Sequence, residues 1–274
     1  MKLTRLAKPA RSFLVIGIIL AFGLIGIPYL QQDGMMFPVP EIASAQSIDP
    51  AFQTISIPTS DGETLFALHH PAETAEATIL VFHGNGDAAL FQQQAGRALA
   101  DAGFGVLLVE YRGYPGSTGK PSESGLILDG LSAYDFIRTR SAAPVGVYAH
   151  SLGSGVAIPL AATRQVFAMV LEAPFDSIQA IAQDAFPWIP MGMFLKHKFR
   201  SDRAIAAVTA PLLMIHGSDD RVIAIRHGKA LFELAPKGSR FMEVTGAGHN
   251  NLRQFGTTGH AITFFSQVLG HEKP

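Results

Sequence analysis

Residues 145–155 read Val145-Gly146-Val147-Tyr148-Ala149-His150-Ser151-Leu152-Gly153-Ser154-Gly155. Their first half is a short run of apolar and small residues, as expected of a strand buried on both faces in a parallel sheet covered by helices. Their second half opens a helical pattern that runs from Gly153 to Arg164. Ser151 stands directly between the two, with Ala149 two positions before it and Gly153 two positions after. This is the arrangement of a nucleophile elbow. The turn is so tight that backbone and side chain crowd together, and small residues on both sides relieve the crowding. The serine oxygen is then held at a helix N-terminus, where the helix dipole favours a developing anion. The pattern departs from G-x-S-x-G in that Ala149 takes the first glycine's place. The plainer reading is a serine that merely caps a helix.

The same alternation extends outward along the chain. Thr78–Phe82, Gly105–Glu110, Ala168–Leu171 and Leu212–Ile215 are short apolar runs, and Phe241–Val244 reads as a last strand. Helical patterns separate them at Ala88–Ala102, Ser122–Arg140 and Ile225–Leu234, with a last one at Gly259–Leu269. Phe52–Ile57 and Thr64–His69 flank the turn signal Ser60-Asp61-Gly62 and are expected to form a hairpin. Strand–helix alternation of this kind predicts a doubly wound, mostly parallel α/β domain over residues 51–274. Residues 176–207 break the rhythm with Phe186-Pro187-Trp188-Ile189-Pro190-Met191-Gly192-Met193-Phe194, read either as a small inserted cap over one end of the sheet or as an ordinary connecting helix pair.

In open α/β sheets, ligands bind beyond the carboxyl ends of the strands. His83-Gly84-Asn85-Gly86 follows the first parallel strand, and its glycines allow the backbone to approach a reacting centre. The N–H groups of Asn85 and Leu152 can there form an oxyanion hole. His216-Gly217-Ser218-Asp219-Asp220 follows another strand, and Gly246-Ala247-Gly248-His249 the last. A serine, an acid and a histidine thus each follow a strand, in the chain order expected of this chemistry. The histidine takes the serine proton, and the carboxylate holds its tautomer and stabilises the imidazolium. His150, Tyr111 and Trp188 are candidates for a substrate pocket, and Phe186, Met191, Met193 and Phe194 could shape an acyl site or simply pack the cap on the core.

These motifs together resemble the α/β-hydrolase family, and most closely its single-pass, membrane-anchored, ABHD-type branch related to serine aminopeptidase-type hydrolases. The resemblance spans roughly residues 29–270. It also rests on Gln32-Asp33-Gly34-Met35-Met36-Phe37-Pro38, Tyr111-Arg112-Gly113-Tyr114-Pro115-Gly116-Ser117 and Ala173-Pro174-Phe175-Asp176-Ser177. It implies the α/β-hydrolase fold with a cap, and a catalytic set of Ser151, Asp220 and His249. Of the two adjacent acids the resemblance selects Asp220, four residues after the histidine of the His-Gly pair, and makes Asp219 a turn residue. It implies a serine hydrolase acting on a carboxylic ester or thioester, small or lipid-like. A peptidase of the same fold is the alternative, and a catalytically silent, membrane-tethered binding protein is the alternative of another class. Serine rather than a carboxylate at position 151 speaks against dehalogenase chemistry.

Composition narrows the rest. The 274 residues carry 21 basic and 22 acidic side chains, a balance that excludes the basic face of a nucleic-acid binder. With no cysteine there is neither a disulfide nor a thiolate metal site. No H-E-x-x-H pattern supports zinc chemistry, and Gly113–Lys120 lacks the second glycine and the Ser/Thr of a phosphate loop. No cofactor or metal is expected. Mean hydropathy is high, at +0.24, while only 16% of residues are charged. Residues 13–30 supply roughly two thirds of that apolar excess. Residues 12–32 carry no charge and as a helix would reach roughly 30 Å, the thickness of a bilayer core. Lys2, Arg5, Lys8 and Arg11 precede them. A basic flank at 1–11, a transmembrane helix at 12–32 and a linker at 33–50 are therefore expected. The N-terminus would be cytoplasmic and the hydrolase domain outside the cytoplasm. A cleaved signal is the rival reading, with Ala43-Ser44-Ala45 as its small-x-small site. Oligomeric state is left open.

Overall fold

The computed structural model describes residues 26–42, 47–71 and 76–270. The basic flank, most of the expected transmembrane helix (residues 12–25) and Ala43–Ala45 lie outside the described residues. Among the described residues no helix is long and apolar enough to cross a membrane.

Among the described residues, eight strands form one sheet: β1 (Gln53–Pro58), β2 (Thr64–His70), β3 (Thr78–Phe82), β4 (Gly105–Val109), β5 (Val145–His150), β6 (Met169–Glu172), β7 (Leu212–Gly217) and β8 (Arg240–Val244). Their spatial order is β1-β2-β4-β3-β5-β6-β7-β8. β1, β2 and β4 pair antiparallel, and every later neighbour pairs in parallel. The β1–β2 pair is the hairpin expected around Ser60-Asp61-Gly62.

The apolar runs are strands because both faces are covered. β3 and β4 are buried at every position. Alternate residues feed opposite layers, as the period of two requires. Leu80, Phe82, Leu107 and Val109 join one core with the helices on that side. Ile79, Val81, Val106 and Leu108 join the other. On the first face lie α3 (Glu123–Arg138) and α4 (Ser154–Thr163), and on the second α2 (Gln93–Asp101) and α9 (Thr257–Val268). Between β7 and β8 runs α8 (Ile225–Glu233). Ser122 caps α3 by accepting the Gly125 N–H at 3.1 Å, which sets its first turn.

The chain leaves β3 for β4 on one side and then crosses to β5 on the other. This reversal of winding opens a crevice at the carboxyl ends of β3 and β5. The elbow and the His83–Gly86 loop both end there.

Two regions outside the sheet border the crevice. Residues 33–36, expected within the linker, belong to a helix, α1 (Ile27–Met36), docked on the body. Phe37 behind it is buried, edge-on to His197 and Phe199. Between β6 and β7 the cap consists of three short helices, α5 (Ile178–Ala185), α6 (Met191–Phe194) and α7 (Ser201–Ala204). Ser177 caps α5 by accepting the Ala180 N–H at 3.0 Å.

Candidate active site

The elbow begins where β5 ends. Ser151 adopts φ 51°, a left-handed conformation that non-glycine residues seldom take. It opens a single tight turn, 151–153, that leads into α4. Because β5 lies beside β3, the end of β3 presses on this turn. A Cβ at Gly153 would lie 2.5 Å from the Phe82 carbonyl oxygen, so only glycine fits. Ala149 pairs with Phe82 in the β3–β5 ladder and is buried in the core, where its methyl is accommodated.

His249 and Asp220 arrive from the ends of β8 and β7. His249 Nε2 lies 2.9 Å from Ser151 Oγ, and its Nδ1 lies 2.7 Å from Asp220 Oδ2. A carboxylate can only accept, so Nδ1 carries the hydrogen and Nε2 is the free acceptor for the serine O–H. Asp220 Oδ1 accepts the N–H groups of Val222 and Ile223 at 2.9 and 2.8 Å. Burial works against ionisation of Asp220, but hydrogen bonds from His216 and His249 outweigh it and hold the carboxyl well below the usual carboxylate range. His216 Nε2 lies 3.3 Å from Asp220 Oδ2 and 2.9 Å from the Ile223 carbonyl oxygen. The four-residue spacing therefore has a physical content: the histidine of the His-Gly pair grips the acid. Asp219 is exposed and accepts from the Ser218 hydroxyl at 2.9 Å, as a turn residue would.

The loop after β3 packs directly on the nucleophile. A Cβ at Gly84 would lie 2.8 Å from His150 Nδ1 and 3.5 Å from Ser151 Cβ. His83 is fully buried, with Nδ1 2.9 Å from the Gly84 carbonyl oxygen and Nε2 2.8 Å from Glu110 Oε1. Burial alone would lower its pKa, but the Glu110 carboxylate raises it. The Ala89 N–H donates to the other oxygen of Glu110 at 3.0 Å, and the Tyr111 hydroxyl donates to the His83 carbonyl at 3.1 Å. The loop that carries Asn85 is thus anchored from below.

A cleft of about 560 Å³ opens over Ser151, and Asn85, Leu152, His150 and His249 line it. His150 Nε2 donates to the His249 carbonyl at 3.0 Å. Burial, then the neighbouring His249 and Arg253, push its pKa down to about 4, so it is neutral. One wall is apolar: Phe175, Ile178 and Ile181 from the cap side, with Met36 from α1. Another wall is polar. Glu172 accepts from the Tyr148 hydroxyl at 2.7 Å and from the Thr257 hydroxyl, and its second oxygen lies 3.5 Å from Arg253 Nε. Arg253 donates onward to Gln92 at 2.6 Å, and Gln92 to Asp87 at 2.6 Å.

Two pocket candidates, Tyr111 and Trp188, lie outside the cleft. Tyr111 is fully buried and does not line the cleft. It follows β4, one strand outward from β3, and so lies under the His83 loop, with ring centroids 4.3 Å apart. Trp188 is 88% exposed and lies outside the cleft. Phe186 and Met193 are exposed with it, and Met191 and Phe194 are also absent from the lining. The cap covers the cleft with α5, and its proline-broken tip projects away. The sequence reading missed Met36, Ile178, Ile181, Glu172 and Arg253. Glu172 carried a signal, a charge ending an apolar run. The others carried none.

The family described as serine aminopeptidase S33 matches residues 73–200. An uncharacterized protein of Mycobacterium tuberculosis is 32% identical over 256 residues, covering 89% of this chain and 90% of its own length. Human ABHD12B is 36% identical over 187 residues, and the lysophosphatidylserine lipase ABHD12 of Xenopus tropicalis is 32% identical over 202 residues. These matches cover 60% and 64% of this chain, and the chain spans about half the length of both animal relatives. Among solved structures, an esterase of Pyrococcus furiosus superposes with a TM-score of 0.67 at 18% identity, over 85% of this chain and 98% of that one. An esterase of Rhodococcus gives 0.59 at 18%, over 78% and 99%. Both likenesses concern the fold.

Proposed function

The chain belongs to the α/β-hydrolase family, in its ABHD-type branch, and is a serine hydrolase of the esterase and lipase type; from that premise we propose that it cleaves a lipid-like carboxylic ester through an acyl-enzyme on Ser151. The observation that carries the reading is His249, in contact with Ser151 Oγ through Nε2 and with Asp220 through Nδ1. The Ser151 hydroxyl passes its proton to Nε2 as the oxygen attacks the ester carbonyl. The N–H groups of Asn85 and Leu152 receive the oxyanion, an interaction strongest in the transition state. His249 then gives the proton to the departing alcohol oxygen, leaving an acyl-serine that water hydrolyses by the same route. Asp220, already ionised and fully bonded, keeps Nδ1 protonated throughout.

The walls of the cleft support the substrate class. The apolar wall of Phe175, Ile178, Ile181 and Met36 suits an acyl chain. The departing oxygen must face His249, whose neighbours are Asn250, Arg253 and His150, so a polar alcohol fits that side. A thioester would pass through the same steps. The peptidase reading would need a free carboxylate for a substrate amine, yet both acids among the described residues of the cleft are engaged, Glu172 by three side chains and Asp87 by Gln92 and the Ala88 N–H. The enzyme is held at a membrane by residues 12–32, with the hydrolase domain on the extracytoplasmic side.

A fluorophosphonate probe tests the nucleophile: it labels the native chain, and Ser151→Ala abolishes both labelling and ester hydrolysis. Labelling that survives the substitution would overturn the reading. Matched ester and amide substrates test the class, and faster cleavage of the amide would favour the peptidase.

A further inference from the structure

Trp188 is the single tryptophan of the chain, and it is 88% exposed. Phe186 and Met193 on either side of it are 51% and 79% exposed. None of the three lines the cleft. Three large apolar side chains at the tip of one small cap are costly to leave in water.

What covers them is indicated by the helix docked on the same cap. The α1 side chains Tyr29, Leu30 and Met35 are themselves exposed. The helix is nonetheless fixed to the cap. Gln32 donates to the Phe194 carbonyl at 2.7 Å and accepts the Lys196 N–H at 3.0 Å. Asp33 lies 3.2 Å from Lys196 Nζ and 3.1 Å from His197 Nε2. The uncharged stretch 13–30 runs directly into this helix. Ten residues of helix measure about 15 Å, so a bilayer that holds that stretch lies within about that distance of the cap.

We propose that the cap tip, Phe186, Trp188 and Met193, inserts into the bilayer interface as a second membrane contact beside the N-terminal anchor. The proposal rests on the reading of residues 12–32 as an anchor. Tryptophan and phenylalanine suit the site, since the indole tolerates the boundary between headgroups and chains and the phenyl ring adds apolar area. Three side chains are far fewer than the roughly 20–30 residues a side of a stable protein interface. Met36, at the end of the same docked helix, and Ile178 and Ile181 of α5 line the cleft. The acyl wall therefore opens next to the interface, and a lipid ester reaches Ser151 without its chain crossing water.

The sole tryptophan reports on its own surroundings. The full chain is reconstituted into phosphatidylcholine vesicles, with and without lipids brominated on the upper acyl chain. A reference chain carries Trp188→Phe with Leu234→Trp, because Leu234 is exposed at the end of α8, where the chain returns toward the start of β8, and does not line the cleft. Trp188 emission is expected to fall at least twofold with brominated lipid and to be several-fold less sensitive to iodide than the reference. Equal iodide sensitivity overturns the proposal. So does shielding from iodide without quenching by brominated lipid, which would indicate a second copy of the chain, and so does failure of the chain to float with vesicles. Fluorescence needs no turnover, so Ser151→Ala is expected to give the same quenching, which separates this result from the fate of the acyl-enzyme reading. In a kinetic arm, Trp188→Ser is expected to lower kcat/KM about fivefold on a long-chain ester in vesicles and to leave a soluble short-chain ester unchanged. Equal loss on both overturns the proposal.

Discussion

The shelf of loops that carries Ser151, Asp220 and His249 and the cap that overhangs it are built by different means. The shelf hangs from neighbouring parallel strands, and the serine, histidine and carboxylate on it are tied to one another. Asp220 alone engages two histidines and two backbone N–H groups. The cap is three short helices, two of them only four residues long, rooted in the core by Phe199 and Ile205 and tied at its outer side by exposed ion pairs such as Arg226–Asp184. Such exposed pairs contribute little. The difference teaches where chemistry and selectivity reside. Bonding between neighbouring strand ends holds the proton path in place, whereas the outer side of the cap can change its lining without disturbing that path.

Three measurements test this contrast. Asp220→Asn is expected to have the largest effect, a fall in kcat of about 10⁴-fold with the fold intact, because an amide no longer enforces the Nδ1–H tautomer. Circular dichroism alongside steady-state kinetics checks it. A loss under tenfold would mean that the acid is not what holds His249.

The second concerns stability against pH. His150 is neutral in the folded chain, with a pKa near 4 against 6.5 when unfolded. The unfolded chain therefore binds more protons between those values, and stability falls as pH drops from about 6.5 toward 4. His150 accounts for about 2 kcal/mol of that fall, discounted for its partial exposure. In His150→Gln, urea midpoints taken through this window are expected to lose that part of the slope. An unchanged slope would place the acid sensitivity of the shelf elsewhere.

The smallest effect belongs to the cap. Ile181→Ala is expected to raise KM about fivefold for a long-chain ester and to leave kcat on a short-chain ester within twofold, since it removes apolar wall and touches no reacting atom. Equal losses on both substrates would show that cap and shelf are more tightly coupled than their bonding implies.

How much was legible in the sequence follows the same division. The parallel core could be read because a strand buried on both faces must be apolar throughout. β3, predicted at Thr78–Phe82, stands at Thr78–Phe82. The elbow could be read because few residues fit it, and Gly153, jammed against the Phe82 carbonyl, shows why. Trp188 and Tyr111 could not be placed. In the segment around Trp188 no period ties a residue to a face, and Tyr111 sits in a loop whose depth depends on which strand it follows in space. Arg253 and Glu172 are 81 residues apart in the chain and meet only because β6 and the turn before α9 share one end of the sheet.

The chain by itself determined the alternating layers, the order of serine, acid and histidine, and the apolar stretch 13–30. These follow from local periodicity and from the small set of side chains that tight turns and proton transfer admit. Only the tertiary structure decided that α1 docks on the cap and brings Met36 to the cleft, that Arg253 and Glu172 form its polar wall, and that Trp188 faces outward. Those outcomes depend on the direction of each side chain after packing, and direction is set by neighbours that only the folded sheet brings together.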